Sequence, residues 1–205
     1  MGVGSASTVL ETASAADKAE LIRVCRASFP GSLRWTSPRS FAERWWSSTL
    51  ASPAAETFKA AGSAGIAGFC VLVTDRDSWN RDAGQRRRSR SDKRAALLQH
   101  PLKSLGKALE RGPASGPVRE DPTPASWIEL IAVAPQSARQ GIGQLLVREA
   151  EARAVRAGTQ RLGLCVATSN TSARKFYDAQ GFEHIGTSSA GEVYQKRLAE
   201  AASGS

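Results

Sequence analysis

Residues 133–146 read Val-Ala-Pro-Gln-Ser-Ala-Arg-Gln-Gly-Ile-Gly-Gln-Leu-Leu, and the assignment of this stretch decides the fold. Before it, Ile128 to Val133 is an apolar run, too short for a helix and rich in β-branched residues; after it begins an amphipathic helical segment. A strand, a glycine turn and a helix start together make an anion site. The first-turn N–H groups of such a helix point outward, its dipole adds partial positive charge, and Gly141 and Gly143 let a phosphate come close to the backbone.

A second segment follows about thirty residues later: Asn170-Thr171-Ser172-Ala173-Arg174-Lys175-Phe176-Tyr177-Asp178-Ala179-Gln180-Gly181-Phe182. The pair, Val-x-Pro-x-x-x-Arg-x-Gly-Ile-Gly and Asn-x-x-Ala-x-x-x-Tyr-x-x-x-Gly-Phe, resembles the GNAT superfamily of acyl-CoA-dependent N-acetyltransferases. The resemblance covers Glu129 to Leu198 well, and Val9 to Thr74 only by the order of elements. One residue departs from it: the family's usual Gln or Arg three places before the first glycine is Ala138, with Arg139 one place later. Backbone N–H groups do most of the phosphate holding in such turns, so binding is expected to survive.

The remaining elements fit an α/β (α+β) domain. Thr8 to Thr12 is expected as a strand. Ser14 with Asp17 makes a capping-box start for a helix to Phe29, and Ser37-Pro38 start a second helix carrying Phe41, Trp45 and Trp46. Ala55 to Ala61 and Ile66 to Thr74 form a hairpin across Gly62 to Gly65, the second strand covered on both faces. Strands at Trp127 to Val133 and Arg161 to Ala167 flank a helix from Gly141 to about Ala157, a right-handed parallel crossover. A helix from Thr171 to Gln180 and a closing hairpin (Phe182 to Thr187, Glu192 to Leu198) complete a mixed, mostly antiparallel sheet with helices on both faces, which the resemblance implies as well.

Length and composition suit one domain over residues 1–205, with an insertion at 75–125. The net charge of +9 is concentrated: Arg81 to Glu120 holds eleven Lys or Arg against four acids. Leu98, Leu102, Leu105 and Leu109 form a stripe opposite Lys103, Lys107 and Arg111, so the insertion is expected to be partly helical, with weak contact to an anionic membrane or nucleic acid through 81–111. Three scattered cysteines and no Cys/His cluster point to a reducing cytoplasm and no metal. The N-terminus lacks a basic and an apolar signal region, and Ala6 breaks a myristoylation pattern.

Acetyl-CoA is the cosubstrate the resemblance implies. Its pyrophosphate is assigned to Arg139, Gln140, Gly141, Ile142, Gly143 and Gln144, and its pantetheine to extended backbone at Ile131, Ala132 and Val133. Asn170 caps its helix and, by resemblance, contacts the cofactor. Tyr177 takes the family's general-acid place, giving a proton to the departing thiolate. Glu129 stands where many members keep the base that deprotonates the amine, and Trp35, Trp45 and Trp46 lie where the family builds its acceptor pocket. No Cys/His pair argues for an acyl-enzyme, so direct attack of a small-molecule or peptide amine, with a strand-four N–H on the oxyanion, is expected in a monomer or homodimer. The competing reading is a binding module that keeps the coenzyme site without turnover.

Overall fold

A computed structural model of the chain describes residues 8–30, 32, 35, 39–82 and 126–199. Most of the basic insertion, with its leucine stripe, and the Ser37-Pro38 helix start lie outside the described residues.

The chain begins with β1 (Val9–Thr12), and Ser14 then caps a single 3-10 turn in a reciprocal bond with Asp17. Helix α1 (Lys18–Ser28) and helix α2 (Arg39–Leu50) follow, then the hairpin β2 (Ala55–Gly62) and β3 (Gly65–Val73). A short helix, α3 (Arg76–Arg81), starts on the Asp75 side chain, which accepts from the Ser78 N–H. After it come β4 (Ser126–Val133), α4 (Ile142–Arg156), β5 (Arg161–Val166), α5 (Thr171–Ala179), β6 (Glu183–Ser188) and β7 (Gly191–Arg197).

The seven strands form one sheet in the order β1-β2-β3-β4-β5-β7-β6. Its pairs are antiparallel except β4 with β5, which are parallel and joined by α4. The architecture is therefore the mixed sheet with one crossover that the sequence led one to expect.

Two apolar layers sandwich the sheet. Leu21, Val24 and Cys25 of α1 and Phe41, Trp45 and Trp46 of α2 pack on Phe69, Val71 and Val73 of β3. On the other face, Leu146, Val147 and Ala150 of α4 and Tyr177 of α5 meet Phe58, Cys70, Leu72, Leu162 and Leu164. β3 is thus buried on both faces, which is why it reads as an unbroken apolar run instead of an alternating one.

Trp35, Trp45, Trp46 and Phe69 stack edge to face, with neighbouring centroids 5.1, 5.0 and 5.1 Å apart. The three tryptophans keep only 3, 1 and 0 % of their surface exposed. Their expected role in an acceptor pocket is corrected here: aromatic rings of that size contribute most when fully desolvated, and these form the layer that fastens α2 to the sheet.

This layer has one polar blemish. Among the described residues, the buried Trp46 Nε1, Thr49 Oγ1 and Thr57 Oγ1 have no hydrogen-bond partner. Thr57→Val exchanges an orphaned hydroxyl for a methyl of the same shape, so the thermal midpoint should hold or rise. A fall of more than about 2 °C would contradict that assignment.

Candidate functional site

The site is built where β4 and β5 stop pairing. Their parallel contact consists of Ser126 with Leu162, Trp127 with Gly163 and Ile128 with Leu164. Beyond Ile128, β4 runs on to Val133 against β3 alone, and its other edge opens toward the space between α4 and α5.

The break coincides with a bulge. Val71 pairs with Leu130 and Leu72 with Ile128, so Glu129 is the extra residue. Ile128, Ile131 and Val133 face the α4 layer, while Trp127 and Leu130 face α1 and α2. Simple alternation puts Glu129 in line with Ile131 and Val133, and the bulge places it one residue beyond the last β4–β5 pair, Ile128 with Leu164. Its charge is felt in β5: burial is the main cause that raises the pKa of the Cys165 thiol, and Glu192 and Glu129 add to it.

The ladder phase identifies which β4 backbone groups face the open edge. Ala134 N–H donates to Ala67 O at 2.8 Å. Counting back, Ala132 turns both its backbone groups to Phe69, whereas Ile131 and Val133 turn theirs away from β3. Ala132 is therefore corrected as a backbone ligand. The Val133 carbonyl already accepts from Ser28 Oγ at 2.9 Å, so its N–H and the Ile131 pair carry the edge.

The turn after β4 divides its tasks between two glycines. Gly141 has φ +79° with open space where a Cβ would stand, and no side chain caps the helix it begins. The N–H groups of Ile142, Gly143 and Gln144 therefore start α4 without intrahelical partners. Gly143 serves packing: an added Cβ would lie 3.3 Å from Phe176 Cζ, so it is the close approach of α5 that needs the glycine. Arg139 is exposed at φ +61°, a left-handed conformation that costs a non-glycine residue about 1 kcal/mol. Gln140 Nε2 ties the turn to Gln136 O at 3.1 Å.

Across the opening stands α5. Asn170 Oδ1 accepts from Ala173 N–H at 3.1 Å and caps it. Tyr177, 6 % exposed, sits among Phe176, Phe182 and Tyr194, at centroid distances of 5.2, 5.6 and 6.4 Å. Burial pushes its hydroxyl pKa upward, so the phenol stays protonated throughout the neutral range.

One polar cluster was not legible in the sequence. Glu192 of β7 is 7 % exposed and accepts from Thr187 Oγ1 at 2.8 Å, with His184 Nε2 at 2.8 Å from the same oxygen. The Thr187 bond is the largest cause holding its carboxyl below the usual range. His184 of β6 supplies the second partner of that oxygen. A weak signal existed: Thr187 and Glu192 lie one pair in from the two-residue Ser189-Ala190 turn, which makes them cross-strand neighbours.

With this geometry in hand, known proteins supply the frame. The family model described as Acetyltransferase (GNAT) family matches residues 32–182. The chain belongs to the GNAT acetyltransferase family. It is 36 % identical over 73 residues to GCN5-related N-acetyltransferase 4, chloroplastic, of Arabidopsis thaliana, a match spanning 36 % of this chain and 25 % of that relative's length. The fold matches the ribosomal-protein-S18-alanine N-acetyltransferase of Escherichia coli at TM-score 0.59 and 15 % identity, covering 97 % of this chain and 99 % of the other. It also matches the PaiA N-acetyltransferase of Thermoplasma acidophilum, solved with coenzyme A, at TM-score 0.57 and 15 % identity over 94 % and 99 %.

Acetyl-CoA, the family's cosubstrate, suits the residues present. The uncapped first turn of α4 offers outward N–H groups to phosphate, and the outward Ile131 and Val133 groups offer an edge to amides. Among the described residues no cluster of His, Cys, Asp or Glu could hold a metal, and no helix is long and apolar enough to cross a membrane.

If the turn at Gly141 forms the phosphate end, Gly141→Val forces a β-branched residue to φ +79° and should weaken coenzyme A binding at least about tenfold by calorimetry. Gly158→Ala is the control, since Gly158 has φ +78° at the far end of α4; it should cost stability and leave affinity intact. Wild-type affinity in Gly141→Val would place the phosphates elsewhere.

Proposed function

We propose that the chain transfers an acetyl group from acetyl-CoA to a primary amine by direct attack in a ternary complex. The observation that carries this reading is the fork at Ile128 and Leu164, with Glu129 bulged at its apex and Tyr177 beneath the opening. Residues that would hold the coenzyme are Ile131 and Val133 by backbone, the turn from Arg139 to Gln144, and Asn170. The thioester supplies an activated acyl group with a thiolate leaving group; the rest of the chemistry belongs to the protein.

A bound amine must lose a proton to attack. Glu129 stands at the apex and serves as the proton acceptor, directly or through water. Proton return to the leaving sulfur falls to Tyr177, whose buried phenol remains protonated and needs no tuning to donate. Cys70, wholly buried beneath it with its thiol pKa pushed up by desolvation, and the half-buried Cys165 are inert as nucleophiles. That supports a ternary complex over an acyl-enzyme. The acceptor is a small-molecule or peptide amine, and acetyl is the acyl group favoured by the family's chemistry.

An amine panel assayed with acetyl-CoA tests the reading. For the amine that turns over, Tyr177→Phe should lower kcat by about 10²-fold with little change in KM for acetyl-CoA, and Glu129→Gln should lower kcat most at low pH, where less amine is free. Coenzyme A binding without acceleration by any amine would contradict the enzyme reading. A Tyr177→Phe variant of full activity would remove Tyr177 from the chemistry.

A further inference from the structure

We infer that Ser28, in the last turn of α1, is a coenzyme ligand: its hydroxyl stands between the Val133 carbonyl and an amide N–H of the pantetheine arm and bonds to both. This inference rests on the coenzyme assignment given above and names a residue outside it.

The open edge of β4 is a short ladder with its groups in a fixed order. Ile131 and Val133 each turn an N–H and a C=O away from β3, because Ala132 and the Ala134 N–H face it. Such an edge satisfies an amide-bearing chain laid along it as a neighbouring strand would, donor to acceptor and acceptor to donor. The pantetheine arm has that composition, since each of its two amides carries one N–H and one C=O. Its carbonyls have the Ile131 and Val133 N–H groups to accept from. Of its N–H groups, one has the Ile131 carbonyl, and the other meets a carbonyl that is already bonded.

That bond comes from Ser28, whose Oγ donates to Val133 O at 2.9 Å. A serine hydroxyl has one proton and two acceptor lone pairs. With the proton on Val133 O, the oxygen presents lone pairs alone, so the acceptor that the edge loses at Val133 reappears one atom farther out. Polarisation runs in one direction along the chain N–H to O–H to O=C, and each bond strengthens the next. Donors and acceptors on the protein side therefore still match those of the arm.

Placement agrees with this role. α1 packs Leu21, Val24 and Cys25 on one face of the sheet, whereas α4 and Tyr177 belong to the layer on the other. A side chain of α1 bonded to an edge carbonyl of β4 therefore stands at the rim of the open edge, across from α4 and α5. Ser28 is half-buried, which keeps its oxygen within reach of a ligand. A helical serine can turn its hydroxyl back on the carbonyl four residues earlier; Ser28 reaches β4 instead. The end of α1 does not depend on it, because the Phe29 N–H closes the helix on Cys25 O at 2.9 Å.

The test uses full-length protein in calorimetric titrations with coenzyme A and with ADP, which keeps the pyrophosphate and lacks the pantetheine arm. Ser28→Ala should raise Kd for coenzyme A about fivefold, the worth of one hydrogen bond, and leave Kd for ADP at the wild-type value. KM for acetyl-CoA should rise in parallel, with kcat unchanged. An equal loss for coenzyme A and ADP overturns the inference, because Ser28 would then only hold α1 against β4. An unchanged or lower Kd for coenzyme A overturns it as well, because the bared Val133 carbonyl would then serve the arm by itself. A wild-type protein that binds neither ligand overturns the coenzyme assignment, so the two failures are distinguishable.

Discussion

The structure depends on a parallel strand pair that ends early. β4 and β5 share three residue pairs and then part, and an unpaired strand edge inside a protein must be satisfied by something other than solvent-exposed chance. The bulge at Glu129 is the mechanical reason for the parting. One extra residue in β4 raises its local twist and carries the strand away from β5, while β3 holds its opposite edge down to Gly68 and Val133. The gap that results is lined by backbone on one side and by α5 on the other.

Everything functional in the proposal is placed by that gap. α4 must start where β4 ends, so its uncapped N-terminus opens at the mouth of the fork. α5 must start where β5 ends, so its Asn170 cap follows directly on the strand that has parted from β4. Gly143 allows the two helices to come close enough, through its contact with Phe176, to share one site. The burial that fixes Tyr177 also keeps its proton in place, so packing and chemistry have one cause.

Local signals carried much of this. The capping box at Ser14 and Asp17, the glycines around the β2–β3 turn and the strand-turn-helix pattern around Gly141 each act over a few residues, and the strands and helices they imply are present within one or two positions. The helix at Arg76–Arg81 was overlooked because its composition merges with the basic run that follows; Asp75 and Ser78 were its cap signal. Non-local facts were not legible. In Trp127 to Val133 nearly every residue is apolar, so no alternation reveals the bulge at Glu129. The tryptophans could be counted but not oriented: aromatic density looks the same in a core as in a pocket. Glu192 acquires meaning only when β5, β6 and β7 are side by side.

We propose that the open edge of β4 and the first turn of α4 form one continuous coenzyme site. Backbone amide shifts measured by NMR during titration with coenzyme A test it most directly. Large shifts are expected at Ile131, Val133, Ile142, Gly143 and Gln144, with Ala132 nearly still because its N–H faces β3. Shifts confined to other elements, or a largest shift at Ala132, would contradict it.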